Sequence, residues 1–366
     1  MVYLLLYYLK GLVFMKKIIS LLLCIVFVFA MFGCSKKDAE PAAETTTVPT
    51  TVAETTTEAP VNTANPLTGE KKYNKNAIGK RPVAIVVENL SPARPQWAIG
   101  TSDIIMEGEV EGGISRMLWI YADYTSVPEK VGPIRSARPS YVKFAKLFDA
   151  VYIHWGGSHS KSGYVGGYET IKKLKVDDVD GMNGGKLFGR DQTRSVSSEH
   201  RGILYGDKIP KIIKEKKFRT AASDTITTLS FNDKAQAVGT DKANKVNVKF
   251  SSRTDTRKFA FSTKDNCYHT DDWKTDVKFK NIVILQDTST YITTPYKGSS
   301  TTYLNYDYKG GNGYLVSMGT RTKIKWDTTG GTLNLRTADG KDLKLNPGKS
   351  YIGFSSTNHD GKVTFE

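Results

Sequence analysis

Cysteine and histidine are scarce in this 366-residue chain, which has three cysteines and five histidines. Cys24 falls inside an apolar segment near the N-terminus, which leaves Cys34 and Cys267 as the other two. Neither a disulfide framework nor a zinc-binding motif is available from so few residues. We therefore expect no metal site and no cofactor.

Nucleic-acid-binding signatures are also missing, since there is no dense Lys/Arg run, RNA-binding motif or helix-turn-helix pattern. The chain is nevertheless basic, with 52 Lys and Arg against 37 Asp and Glu and a formal net charge of +15. This excess suits a protein that faces an anionic polymer or a membrane surface, and it suits equally a solvated basic surface without a dedicated partner. Nucleic acid is not an expected partner.

The first 33 residues have the parts of an export signal. Met15 and two lysines precede an apolar stretch at 18–32, and Gly33 stands before Cys34. The pattern resembles a bacterial lipoprotein signal, which makes 1–33 the signal peptide, Met15 the true start and Cys34 the lipidated first residue. The alternative is an uncleaved membrane anchor. Both interpretations place the folded part on the extracytoplasmic face of the membrane.

Composition divides the rest of the chain into three parts. Residues 34–75 are rich in Thr, Pro and Glu and offer almost nothing to bury, which predicts a disordered tether after Cys34. Residues 80–222 interleave strand-like and helix-like segments, which predicts an α/β or α+β domain. Residues 225–366 alternate apolar with polar residues between glycine-rich turns, which predicts a β-rich domain.

The segment from Arg94 to Arg138 is dense in residues that a core does not need. Glu107, Glu109 and Glu111 alternate there, so an extended chain would place all three on one face, about 6.6–6.8 Å apart. Four arginines are the nearby cations: Arg94, Arg116, Arg135 and Arg138.

Two interpretations of these carboxylates stay open. In the first, Glu107 and Glu109 are an acid/base pair, because glycosidases place two carboxyl groups about 5–9.5 Å apart. In the second, the glutamates and arginines form a partly buried lattice that stabilises the fold. Arg135 and Arg138 also precede a helix that Pro139 begins, where an anion could bind, either a ligand or the protein's own glutamate row.

Further binding candidates lie where a predicted strand at 150–155 meets a loop. His154 and Ser158 occur there, but the segment is not a G-x-S-x-G nucleophile elbow. Arg190 is another polar candidate, in an Arg-Asp pair further along the chain.

The chain resembles the YerB-like lipoprotein family through several segments that recur in order: RPVAIVVEN, ARPQ, DIIMEGEVEGGISR, GPIRSARPSY, YIHWGGS and GRDQTR. GNGYLVSMG, TKIKW and LNPGKSYI extend the resemblance over the second domain. It implies a cell-surface lipoprotein of Gram-positive type, with two domains of unassigned function. The chain departs from the family pattern at 198–201, where Ser-Glu-His-Arg replaces a segment containing Pro-His-Asn.

Together these features favour an exported lipoprotein, anchored to the membrane by a lipid on Cys34, that binds through the Arg94–Arg138 surface. The expected partner is peptidoglycan or an anionic wall polymer, or an envelope protein. The alternative is a wall-remodelling enzyme that cleaves glycan with its paired glutamates.

Overall fold

Strands dominate the chain, in which the computed structural model describes residues 63–296 and 298–366. The α-helices of the described residues are α1 Pro139–Leu147, α2 Gly167–Leu174 and α3 Ile209–Glu215. The strands up to residue 222 are β1 Val83–Glu88, β2 Ile104–Glu111, β3 Ile114–Tyr121, β4 Val151–His154, β5 Asp178–Asp180, β6 Phe188–Arg190 and β7 Gly202–Leu204.

The later strands are β8 Ser230–Phe231, β9 Asp241–Lys242, β10 Lys245–Lys249, β11 Thr256–Ser262, β12 Cys267–Thr270, β13 Val277–Phe279, β14 Asn281–Asp287, β15 Ser289–Tyr296, β16 Ser299–Tyr306, β17 Gly310–Ser317, β18 Thr320–Asp327, β19 Asn334–Thr337, β20 Lys344–Leu345, β21 Ser350–Ser356 and β22 Lys362–Phe365. The predicted fold class is confirmed, because helices and strands mix in the first part and the second part is β-rich.

The predicted signal peptide, Cys34 and the part of the predicted tether before residue 63 lie outside the described residues. Residues 63–75, the rest of that tether, contact the folded part: Leu67 is 3% exposed and belongs to a hydrophobic core, and Asn65 donates to Asp103 at 3.0 Å. Among the residues that are described, no helix has both the length and the apolar character needed to cross a membrane. Pro60–Glu366 forms one compact unit that holds its own hydrophobic cores, so we expect this fragment to fold without the residues before it.

A large mixed sheet joins the two parts of the chain. Its central order is β19-β18-β17-β14-β21-β2-β3-β1-β4-β5, and β9, β15 and β16 extend it away from this path. The longer of two junctions is the parallel pairing of β2 with β21, which places Ile104 beside Ser350 and Glu107 beside Gly353. β2 also pairs with β16, where Glu111 lies opposite Tyr303. A strand from each part therefore hydrogen-bonds directly to a strand from the other.

The large sheet is covered on both faces, which explains why every residue of β1 is buried. On one face Ala84 and Val86 share a core with Phe144 of α1. On the other, Val83 and Ile85 share a core with residues of a five-stranded sheet of order β13-β12-β11-β10-β22. The large sheet thus lies between a helical layer and a second sheet.

Helix α1 follows the sequence pattern closely. Pro139 occupies its first turn, where its missing N–H is not needed by the helix. Tyr141, Phe144 and Ala145 lie on the stripe that the spacing predicts, and all three are fully buried. The apolar stripe therefore anchors α1 to the large sheet.

The β2–β3 hairpin turns at Gly112 and Gly113, which have φ of +60° and +81°. The pairing of the two strands is irregular between Glu109 and Glu111. A Cβ on Gly113 would lie 2.5 Å from the carbonyl oxygen of Arg253, whereas one on Gly112 would meet nothing within 4 Å. Both glycines contact the second part of the chain, since the Gly112 N–H donates to the Thr302 carbonyl oxygen at 2.9 Å, but only Gly113 leaves no space for a Cβ.

This difference predicts unequal effects of two neighbouring substitutions. Gly112→Ala should lower the free energy of unfolding by about 1–2 kcal/mol, because only its left-handed backbone is strained. Gly113→Ala should cost about 1–3 kcal/mol more, because it also forces the Arg253 backbone away. Urea unfolding of the Pro60–Glu366 fragment measures both, and equal losses would show that the tip does not pack as described.

Candidate functional site

The stretch Arg94–Arg138 contains β2, β3 and the loop before α1, and its arginines separate into two groups. Arg94 donates to the carbonyl oxygens of Asn89 and Asp272, at 2.7 and 2.9 Å. The other three pair with carboxylates: Arg116, Arg135 and Arg138. Because each arginine already has a partner within the protein, the stretch is not a free cationic surface.

Glu107 is fully buried and surrounded by donors. Arg257 of β11 binds both of its oxygens, with Nη2 2.7 Å from Oε1 and Nε 3.1 Å from Oε2. Tyr351 donates to Oε2 at 2.9 Å, while Asn89 and Ser115 donate to Oε1 at 2.5 and 2.8 Å. A glycan could reach this carboxylate only by displacing several of these groups.

Glu109 is also fully buried, but no cation pairs with it within the described ranges. Its Oε2 accepts hydrogen bonds from Ser251 and Tyr291, the latter at 3.1 Å. Its Oε1 has no hydrogen-bond partner among the described residues. Glu107 and Glu109 share no hydrogen-bonding partner there, so they are separately held carboxylates.

Glu111 is held differently, by two arginines on the helix side of the large sheet. Arg138 lies 2.6 and 2.7 Å from its two oxygens, and Arg116 lies 3.1 Å from Oε1. Burial alone would raise the pKa of Glu111, but the two guanidinium groups lower it to about 2. The predicted lattice of glutamates and arginines has its clearest example here.

A neighbouring cluster centres on Glu88, the last residue of β1. His200 Nδ1 lies 2.8 Å from Oε1 of Glu88, and Arg135 Nε lies 3.4 Å from the same oxygen. Arg135 also pairs with Glu199 at 3.0 Å, and Glu199 lies 3.8 Å from His200 Nε2. Burial raises the pKa of Glu88, although Arg135 and His200 act in the opposite direction.

Sequence reasoning named Arg135 for binding but missed Glu88. A signal existed, because Glu88 ends a run of buried apolar residues and a carboxylate in that position needs a partner. Nothing in the sequence pattern identified His200, 112 residues further along, as that partner. Each ring nitrogen of His200 has a carboxylate nearby, Glu88 at Nδ1 and Glu199 at Nε2, which suits a structural cluster.

His154 and Ser158 lie near each other in sequence, but each has its own partners. The buried His154 has Nδ1 2.7 Å from the Gly156 carbonyl and Nε2 3.1 Å from Asp178. Ser158 Oγ accepts the Gly167 N–H at 2.9 Å. No hydrogen bond joins His154 to Ser158 in the part of the chain that the structure describes, so they are not assembled as a nucleophile and base.

Arg190 lies at the surface, where its guanidinium group stacks 4.5 Å from the Trp155 ring and donates to the carbonyl of Ser198. Neither of these contacts involves Glu107, Glu109 or Glu111. Within residues 63–296 and 298–366, no group of three or more His, Cys, Asp or Glu side chains is placed to hold a metal ion.

A cleft of about 690 Å³ opens beside the Glu111 cluster, between α1, α2 and the β15–β16 hairpin. Tyr164 lines it, and the Tyr164 ring stacks on Tyr303 at 4.0 Å between centroids. Ser158 Oγ lies 2.9 Å from the Tyr164 hydroxyl, and Arg138 lies 6.0 Å from the Tyr303 ring. Ser158 and Arg138, two of the predicted binding residues, therefore contact the tyrosines of one cleft wall but do not line the cleft themselves.

The cleft combines an apolar body with a cationic lining. Val165 and Ile292 supply apolar surface, and Val165 is 56% exposed. Four cations line the cleft against two carboxylates, Asp149 and Asp307. Arg219 is paired with Asp149 at 2.8 Å. The remaining cations form no ion pair within 4.0 Å with any described residue: Lys143, Lys146 and Lys173.

Comparison with known proteins identifies the relatives of this chain. Two family models match it: "Protein of unknown function (DUF3048) N-terminal domain" over residues 67–219, and the corresponding C-terminal domain over residues 238–352. "Putative lipoprotein YerB" of Bacillus subtilis (strain 168) is 29% identical over 345 residues, which cover 90% of this chain and 92% of the relative. The resemblance to the YerB-like family is confirmed.

The crystal structure of the YerB protein from Bacillus subtilis matches with a TM-score of 0.66. The match covers 82% of this chain and 99% of that one, at 26% identity. The similarity therefore extends across both parts of the chain, while neither family description assigns an activity.

The Glu107 contacts predict a large stability effect. Arg257→Ala should lower the free energy of unfolding by about 3–5 kcal/mol, because it leaves a buried carboxylate without its cation. Lys258→Ala is the matched control on the same strand, and it should change stability by about 0.5 kcal/mol or less, since this side chain is exposed. Urea unfolding of the Pro60–Glu366 fragment measures both.

A second variant tests the cause of this loss. Combining Glu107→Gln with Arg257→Ala should recover part of the lost stability, because a neutral amide needs no cation. A double variant as unstable as the sum of its single variants would show that the two side chains do not interact.

The Glu111 cluster predicts a pH dependence. Because the pKa of Glu111 is lower in the folded state, its contribution is complete above about pH 4.5 and is lost as the pH falls toward 2. This loss amounts to at most about 3 kcal/mol. Glu111→Gln should therefore be less stable at pH 7 and lose less on acidification than the wild type. Urea unfolding from pH 7 to pH 3 measures this, with the exposed Glu129→Gln as control.

Proposed function

The chain belongs to the DUF3048 family of proteins of unknown function, and we propose that it is a membrane-anchored lipoprotein that binds an acidic cell-wall polymer in the cleft beside α1 and α2. A lipid on Cys34 would hold it on the extracytoplasmic face of the membrane. Support for the anchor comes from the lipoprotein name of the Bacillus subtilis relative and from the signal-like residues before Cys34.

The observation that carries the binding proposal is the set of unpaired lysines in the cleft. Lys146 and Lys173 are exposed, and burial lowers the pKa of the half-buried Lys143. An ammonium group in a partly dehydrated cleft attracts an anion more strongly than one in open water. An acidic polymer could place its charges on these lysines and its backbone against Tyr164, Val165 and Ile292.

The binding surface proposed here differs from the Arg94–Arg138 surface. The arginines of that stretch already have partners, whereas the cleft lysines have no ion pair within the described ranges. The burial of Glu107 and Glu109 favours binding over glycan cleavage, because neither carboxylate has a surface that a substrate can reach.

Sedimentation with purified sacculi tests the proposal. The Pro60–Glu366 fragment should pellet with sacculi that retain their acidic polymers, and pellet much less with sacculi stripped of them by acid. Binding should weaken as salt rises. Lys146→Gln/Lys173→Gln should reduce pelleting severalfold, whereas the control Lys214→Gln/Lys234→Gln removes two exposed lysines elsewhere and should not.

Each other result has a distinct meaning. Equal pelleting of the two double variants would exclude the cleft as the polymer site. Release of soluble glycan fragments would identify an enzyme instead. A fragment that binds neither kind of sacculus would contradict polymer binding and direct attention to an envelope protein.

A further inference from the structure

A second cationic surface lies on the five-stranded sheet, on the side of the large sheet opposite to α1. Residues of β10 alternate strictly, with Val246 and Val248 fully buried against the large sheet. The alternate positions of β10, β11 and β22 face outward. We call this surface the lysine face, and its cations are Lys245, Lys249, Lys258 and Lys362.

The strand pairing places these lysines next to one another. Lys249 of β10 lies directly opposite Lys362 of β22, and Lys258 of β11 lies opposite Asn247. Because residues two apart on a strand share a face, Lys258 is the diagonal neighbour of both Lys245 and Lys249. Like charges directly opposite each other destabilise a sheet.

The protein does little to offset this repulsion. Glu366 pairs with Lys245 at 2.6 Å. Lys249, Lys258 and Lys362 form no ion pair within 4.0 Å with any residue that the structure describes. The lysine face therefore places four lysines against one carboxylate, Glu366, and an anionic partner would relieve the repulsion among them.

The chemistry of the face limits the kind of partner. Thr256 and Thr364 accompany the lysines, and no aromatic side chain occupies the outward positions that line this surface. A single sugar chain would find no ring on which to stack. A bilayer with anionic lipids instead offers many phosphate groups in one plane, and each Lys near such a surface contributes about 1 kcal/mol.

We infer that the lysine face docks on the surface of an anionic bilayer. This inference rests on the proposed function in one respect, since a lipid on Cys34 would keep the protein near the membrane. The segment between Cys34 and the first described residue spans at most roughly 100 Å when fully extended, so the anchor holds the face at high effective concentration. Lysine contacts that are weak individually are then sufficient to keep the lysine face on the bilayer.

Docking in this way gives the protein a defined orientation. The lysine face and the cleft lie on opposite sides of the large sheet, because one belongs to the five-stranded sheet and the other to the helical layer. A protein that rests on its lysine face directs the α1–α2 side away from the bilayer. The cleft would then open toward the wall.

Vesicle sedimentation tests the inference without a lipid anchor. The Pro60–Glu366 fragment should pellet with large vesicles of phosphatidylcholine containing about one third phosphatidylglycerol, and not with pure phosphatidylcholine vesicles. Lys249→Gln/Lys362→Gln should weaken binding to the anionic vesicles about tenfold or more, which is the effect of losing two lysine contacts. Raising the salt concentration should abolish binding of the unmodified fragment.

Two control variants separate this inference from the cleft proposal. Lys214→Gln/Lys234→Gln and the cleft variant Lys146→Gln/Lys173→Gln should bind anionic vesicles like the unmodified fragment. The lysine-face variant should keep its binding to sacculi, and its melting temperature should be unchanged or higher because repulsion is relieved. Failure of the sacculus test would leave the vesicle result standing, since it is measured on lipid alone.

Three results would overturn the inference. The first is an absence of pelleting with anionic vesicles. The second is equal vesicle binding by all three double variants. The third is a lysine-face variant that loses sacculus binding and keeps vesicle binding, which would assign the face to the wall polymer.

Discussion

A buried ion pair between Glu107 and Arg257 joins the five-stranded sheet to the large sheet. Glu107 lies in β2, at the centre of the large sheet, and Arg257 lies in β11 of the smaller one. A carboxylate buried in a dry interface must be matched by a cation and by further donors, or it opposes folding. Arg257 and Tyr351 meet this requirement from the second part of the chain. The two parts therefore depend on each other for a stable interior.

Charge is used differently on the other face of the large sheet. There Glu111 binds Arg138 immediately before α1, and Glu88 binds Arg135 in the same loop and His200 further along. These pairs fix the start of α1 and the loop around His200 against the sheet. Because α1 is held at its N-terminus and along its apolar stripe, the cleft between α1, α2 and the β15–β16 hairpin has a firm wall.

Much of this fold could be predicted from local patterns. Three short patterns each predict their own local structure: the apolar run of β1, the apolar stripe of α1 and the glycine pair of the β2–β3 turn. The partners of the glutamates could not be predicted in this way. Glu107 and Arg257 are 150 residues apart, and only the pairing of whole sheets brings them together.

The prediction that Glu107, Glu109 and Glu111 share one face of the strand was wrong for a related reason. It assumed a regular strand, but the pairing of β2 with β3 is irregular between Glu109 and Glu111. Glu107 and Glu109 contact residues of the second part, whereas Glu111 contacts Arg116 and Arg138. Alternation in sequence gives a common face only while the ladder stays in register.

The same limit explains why the cationic surfaces were not evident from composition. The net charge of +15 says that lysines and arginines are in excess, but not which of them lack partners. The arginines of the Arg94–Arg138 stretch contact other groups of the protein. Three lysines in the cleft and three on the five-stranded sheet, in contrast, form no ion pair with any described residue. A cleft suits the binding of a single polymer chain, and the open surface of a sheet suits contact with a flat partner such as a membrane. Two such surfaces on opposite sides of one sheet are what a protein held between a membrane and a polymer would need.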